Sequence, residues 1–189
     1  MLEQVKMILF VMILGVAAAT ILIGTDSYTS TIIQENQELS LKSTILDAFE
    51  IAYEEGTIID IYDQSIVEEA VEGYTFYTTS EGYVGYEIEG TGLWGPIEGF
   101  LALETDLVTI KSIRISYNEE TPGLGGVVAE KWYLDKYRGK QFSPEIIIKK
   151  DADMSKINEV DAITGATNTS TAFQLLLNEN YQQRKEVLQ

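Results

Sequence analysis

The stretch Asp161-Ala162-Ile163-Thr164-Gly165-Ala166-Thr167 sets two hydroxyls and a carboxylate around a glycine, directly ahead of the run NTSTAFQLLLNENY. If Thr167 stands at the N-terminal end of the helix that follows, free N–H groups and the helix dipole favour a phosphate there. A phosphate esterified to the Thr oxygen would be held in place. An ordinary helix start, with Asn168 or Thr169 as N-cap, accounts for the same residues without any chemistry.

Two other loops carry more than a turn requires. In GTGLWGPIEGF, Gly90 to Phe100, four glycines and a proline surround Trp94. A wide turn over a packed indole explains them. Glycine also permits close approach of backbone to a flat ligand, and Trp supplies a stacking surface. In NEETPGLGGVVAEKW, Asn118 to Trp132, Pro122-Gly123 and Gly125-Gly126 make a tight double turn around Leu124. Backbone N–H groups left unpaired by such a turn suit an anion or an electron-rich ring edge. A turn feeding a helix explains the glycines, but not why Glu119-Glu120-Thr121 precede them.

The elements that must position these loops form an α+β domain. From Tyr74 onward, YTFYTT, YVGYEIE, EGFLAL and LVTIKSIRISY read as four antiparallel strands. Val84, Tyr86 and Ile88 share one face of the second strand, and Ile113, Ile115 and Tyr117 one face of the fourth, so one sheet face is expected to be covered. VVAEKWYLDKYRGK reads as a covering helix ending at Gly139, EIIIK as a short strand, and Thr169 to about Tyr181 as the last helix. Helices packed on an antiparallel sheet are the simplest architecture.

Composition narrows the chemistry. The chain has 189 residues, 30 acidic against 13 basic, a formal charge of −17, and neither Cys nor His. Disulfides, Cys/His zinc sites, Cys nucleophiles and Ser-His-Asp triads are excluded, and no basic run exists to meet a nucleic acid backbone. No metal site and no catalytic residue is expected. Difficult chemistry must come from a cofactor.

Met7 to Gly24 is eighteen residues without a charge, about 27 Å as a helix at roughly 1.5 Å per residue. A cleaved signal peptide, with Ala17-Ala18-Ala19 as its small residues, is the rival to an uncleaved anchor. The apolar run continues past those alanines as TILIG, which favours the anchor. Lys6 before the span, and Asp26 and Glu35 after it, put the N-terminus in the cytoplasm and the domain outside. Gly15 and Ala19 give a small-residue face for packing against other membrane helices. The expected organisation is a transmembrane anchor over 1–25, a stalk and a lead-in helix over 26–60, and an extracytoplasmic domain over 61–189.

Asp161-x-x-Thr164-Gly165-Ala166-Thr167 resembles the flavinylation motif D-x-x-[S/T]-G-A-T in the FMN-binding subunits of Rnf complexes and of the sodium-translocating NADH:quinone reductase (Na+-NQR). ETPGLGG and GLWGPIEGFLAL are similar to that family as well, in the same order after one N-terminal span. GLWGPIEGFLAL leans toward the NQR member and the short length toward Rnf. The resemblance implies FMN joined to Thr167 by a phosphodiester bond, with Thr164, Gly165 and Ala166 as its motif. It implies Thr121 and Leu124 against the isoalloxazine, Gly123 and Gly125 letting the backbone approach it, and Trp94 as a ring neighbour. A positive φ at Gly125 would add a stability cost to any larger residue there. Asp161 is implied as a recognition residue for a separate, magnesium-dependent flavin transferase that uses FAD as donor. The implied role is an electron-carrying subunit in the cell inner membrane, working with other membrane subunits of an ion-translocating oxidoreductase and not catalytic alone. An anchored flavoprotein serving an extracellular reductase, and a non-redox surface binding domain, are the alternatives.

Overall fold

The structure is a computed structural model that describes residues 2–188. It has two compact units, one up to Ser40 and one from Leu41 onward. Helix α1 runs Leu2–Phe49, continuous where a stalk and a lead-in helix were expected. By length and composition its apolar stretch could cross a membrane, and none of that stretch is buried. Thr20, Thr25 and Thr29 each donate their hydroxyl to the carbonyl four residues back, at 2.8, 2.8 and 3.0 Å, so these polar side chains leave no unpaired group on the helix surface.

In the second unit the last turns of α1 bury Ile45, Leu46, Ala48 and Phe49. The helix stops at Glu50, whose φ of 63° is left-handed. Ile51 N–H then closes back on Leu46 O at 2.9 Å, as helix C-termini commonly do. Helix α2, Ile58–Ser65, leads into a five-stranded antiparallel meander in the order β1-β2-β3-β4-β5. The strands are β1 Ile66–Val71, β2 Tyr74–Thr79, β3 Val84–Thr91, β4 Pro96–Leu103 and β5 Ile110–Asn118.

Both sheet faces are covered, where one was expected. Tyr86, Ile88, Ile97, Leu101 and Ile113 point into the main core. On the opposite face Phe100 meets Phe49 and Tyr77 edge-on, with ring centroids 5.6 and 5.3 Å apart. Gly85 is what admits that ring, because a Cβ there would run into Phe100.

The expected single helix over 127–140 is broken into a 3₁₀ turn at Gly125–Ala129, a short α3 at Lys131–Leu134, and a second 3₁₀ turn at Asp135–Tyr137. Glu130 is extended (φ −74°, ψ 128°), which interrupts the ladder. The pieces instead bury Tyr133 and Tyr137, whose hydroxyls bond at 3.0 Å. Strands β6 Ile147–Lys149 and β7 Glu159–Asp161 pair in parallel. Helix α4, Thr167–Arg184, binds the β6 backbone through side chains. Gln174 accepts Ile148 N–H at 2.6 Å, while Asn178 accepts Ile146 N–H at 2.9 Å and donates to Ile146 O at 2.8 Å. The α+β class with helices on an antiparallel sheet stands.

Candidate functional site

The three loops singled out in the sequence meet at one buried carboxylate. Strands β3 and β4 pair as far as Thr91 and Pro96, leaving Gly92–Gly95 as a tight turn closed by Gly92 N–H to Gly95 O at 2.7 Å. Two amides of that turn, Leu93 N–H and Trp94 N–H, donate to Glu120 Oε1 at 2.5 and 3.1 Å. The hydroxyl of Thr169, in the first turn of α4, donates to Glu120 Oε2 at 2.7 Å. A carboxylate in such a ring of neutral donors is well solvated by the fold itself. Glu120 therefore ties the 92–95 turn, the 118–126 loop and the start of α4 together.

Gly125 lies against this knot. It is buried, and a Cβ there would run into Glu120 Oε2 and sit 2.7 Å from Thr169 Oγ1. The glycine is needed for close approach, not for a left-handed φ. Gly123 (75°) and Gly165 (81°) are the left-handed glycines of these loops. Thr121 is exposed, and its carbonyl accepts Leu124 N–H and Gly126 N–H at 3.1 and 2.9 Å. Leu124 Cδ2 reaches within 3.3 Å of where a Cβ on Gly165 would stand, so the glycine loop touches the D-x-x-T-G-A-T turn.

Thr167 is the first residue of α4, and Ala166 before it (φ −131°, ψ 51°) offers no side-chain cap. Asn168 and Thr169, the caps of an ordinary helix start, lie inside the helix. The first N–H groups therefore lack the side-chain acceptor that helix starts usually supply. Ser170 braces the turn from below, accepting Ile163 N–H at 2.9 Å and donating to Ala166 O at 3.0 Å. Thr167 and Thr164 are exposed and Ala166 is buried. The Thr167 hydroxyl makes none of the hydrogen bonds among the described residues. Leu124, which touches this turn, and Trp94, in the 92–95 turn, stand 46% and 70% exposed, large apolar surfaces facing solvent.

Asp161 is committed to the fold: at the end of β7 its Oδ1 accepts Ala152 N–H at 2.9 Å. The residue that sequence reasoning did not assign is Glu120. Its signal was the acidic pair Glu119-Glu120 standing unexplained before the glycines.

Residues 92–182, which span all three loops, match the family of the FMN-binding domain. The match takes in just under half of the chain. Among curated relatives, the NqrC polypeptide of the Na(+)-translocating NADH-quinone reductase of Vibrio alginolyticus is 37% identical over 93 residues, covering 46% of this chain and 36% of the relative. The corresponding polypeptide of Chlamydia trachomatis is 50% identical over 54 residues, 29% of this chain and 17% of the relative. The chain thus spans at most little more than a third of these curated relatives, and only 17% of the Chlamydia trachomatis one. The crystal structure of the NqrC polypeptide from Parabacteroides distasonis superposes with a TM-score of 0.74 at 22% identity, covering 84% of this chain and 96% of that one. NqrC of Shewanella oneidensis gives 0.65 at 19%, covering 75% and 90%. At those identities the superpositions establish the fold.

Proposed function

We propose that the chain is a membrane-anchored electron carrier bearing FMN as a phosphodiester on Thr167, within a complex of the Na+-NQR type. The observation that carries this reading is the uncapped start of α4, where an exposed Thr167 hydroxyl stands beside N–H groups without a side-chain acceptor, inside an FMN-binding domain. The curated relatives named above are subunits of Na(+)-translocating NADH-quinone reductases, which favours NQR over Rnf.

The residues fit the group. The first-turn N–H groups of α4 and its dipole would take the phosphate. The Ser170 hydroxyl pins the turn that leads into Thr167. Leu124 and Trp94 would flank the ring, and Glu120 holds their loops in register with α4. Bound FMN supplies one- and two-electron transfer, for which this chain need furnish no acid or base. Burial pushes the Tyr133 phenol up to about 12, leaving it a neutral packing group. The orientation with the domain outside the cytoplasm, anchorage in the bilayer through α1, contact with other membrane subunits, and maturation by a flavin transferase reading Asp161 belong to the same proposal.

Coexpression with the transferase tests it. Intact mass should rise by one FMN less one water, tandem spectra should place the addition on Thr167, and Thr167→Ala should be colourless. A label on Thr164, Thr169 or Ser170, or no label at all, overturns the assignment.

A further inference from the structure

Away from the flavin loops, the end of α1, the end of α2, the β2–β3 turn and β5 enclose a cleft of about 400 Å3. None of its lining residues belongs to 92–95, 118–126 or 161–169. Lys111 of β5 lines it with a side chain nine-tenths buried. Among the described residues its ammonium makes no hydrogen bond. One side rests on the Tyr83 ring, 3.8 Å from the centroid. The nearest carboxylate oxygen, Glu50 Oε2, is 3.9 Å away, too far to accept. Both Glu50 oxygens already take hydrogen bonds from Arg138.

The Lys111 stem is buried while its ammonium opens into the cleft with no acceptor within hydrogen-bond reach among the described residues, so its three donors are free for a group that enters. The rest of the cleft is suited to an acceptor. Thr79 Oγ1 accepts Tyr83 N–H at 3.3 Å, which leaves its own proton to donate, and the Gln64 amide stands in the same lining. The charge that fits is a single one, because Glu50 and the exposed Glu81 also line the cleft and would repel a dianion.

We propose that this cleft binds a small organic monocarboxylate, with Lys111 Nζ donating to the carboxylate, Thr79 assisting and the Tyr83 ring as its wall. The site is independent of the flavin, so its occupancy survives loss of the cofactor.

Calorimetric titration of the full chain in detergent, in carboxylate-free buffer, tests this with acetate and inorganic phosphate as probes. Acetate should bind saturably and more tightly than phosphate. Lys111→Met should weaken acetate by about tenfold or more, the equivalent of one charge-assisted hydrogen bond. Glu81→Gln removes a repelling charge at an exposed turn and should tighten acetate by about twofold, the scale of a surface charge effect. That variant keeps the test sharp if Lys111→Met does not fold. Flavin content should be unchanged in Glu81→Gln. No saturable acetate binding, phosphate binding more tightly than acetate, or unchanged affinity in Glu81→Gln overturns the proposal. A short peptide with a free C-terminus that binds more tightly than acetate overturns the small-molecule assignment in favour of a chain end.

Discussion

Two glutamates of this domain are almost fully buried, Glu120 and Glu159, and they are satisfied in opposite ways. Glu120 is held by two backbone amides and one hydroxyl, with no cation in contact among the described residues. Glu159, on β7, is held by Lys149 at 2.9 Å, Lys156 at 2.8 Å and the Asp153 amide at 3.0 Å. Neutral donors orient a carboxylate through fixed backbone geometry. Lysines meet it as flexible point charges whose hold depends on salt and pH. The difference matches the two locations. Next to Thr167 a lysine would compete for any phosphate and blur the loop positions, whereas the strand pair β6–β7 needs a fastening and nothing finer.

The largest effect is expected where the neutral knot is cut. Glu120→Ala orphans three donors, two in the 92–95 turn and one in the first turn of α4, and each unsatisfied buried group costs about 1–3 kcal/mol. A loss of about 3 kcal/mol in denaturant unfolding is expected, together with lower flavin loading as the Trp94 turn parts from α4. Glu120→Gln should behave differently. Its amide oxygen can still accept the Leu93 and Trp94 amides, and its NH₂ can still meet Thr169 Oγ1, so most stability and loading should survive. Equal damage from both would mean that the charge, not the hydrogen-bond pattern, is what the loops require.

Gly125→Val comes next, because the added side chain lands on the Glu120–Thr169 bond. Overpacking of this kind costs about 1–3 kcal/mol. The loss should be the same in a Thr167→Ala background, which on the proposed attachment carries no flavin. A loss that appears with flavin alone would place Gly125 against the ring instead.

Thr169→Val keeps the shape and removes one donor from Glu120, for an expected loss of about 1–2 kcal/mol. The two remaining amides should keep the carboxylate in place, so flavin loading should change little. Loading that falls as far as in Glu120→Ala would make Thr169, not the knot as a whole, the determinant.

How much of this was legible depended on whether a pattern was local. Strands β2 to β5 showed themselves through alternation, and β3 placed Tyr86 and Ile88 on the core side as its period required. Strand β1 escaped because Glu68 and Glu69 stand together in it and its turn to β2 is Glu72-Gly73, whose φ values of 51° and 87° suit a turn more often written Asn-Gly or Asp-Gly. The helix expected over 127–140 is interrupted at Glu130, whose extended backbone separates the Gly125–Ala129 turn from the helical turns of Lys131–Tyr137, and the helical spacing of the segment gives no sign of that break. Thr164, Gly165, Ala166 and Thr167 could be singled out because their motif is contiguous. Glu120 could not be assigned, since its partners lie 26, 27 and 49 residues away and nothing in one chain announces such a meeting.

The smallest effect is expected on the lysine-held side, and it is best read against pH. Hydrogen bonds from Lys156 and Lys149 hold the Glu159 carboxyl down at about 2, below the value of about 4.3 for a glutamate in an unfolded chain. A carboxyl depressed in the folded state binds fewer protons there than when unfolded. Its contribution is therefore complete above about pH 4.3 and is lost as pH falls toward 2. Glu159→Gln should remove that part of the slope, so that the variant is less stable than the parent at pH 7 and the two converge as pH falls toward 2. Salt should act the same way, since both lysines are about half exposed and their charges are screened at high ionic strength. Thr169→Val, which touches only the neutral knot, should show a stability loss that is independent of salt. If added salt narrows the gap between parent and Thr169→Val as much as it narrows the gap between parent and Glu159→Gln, the two carboxylates are held by the same kind of force and the contrast between them fails.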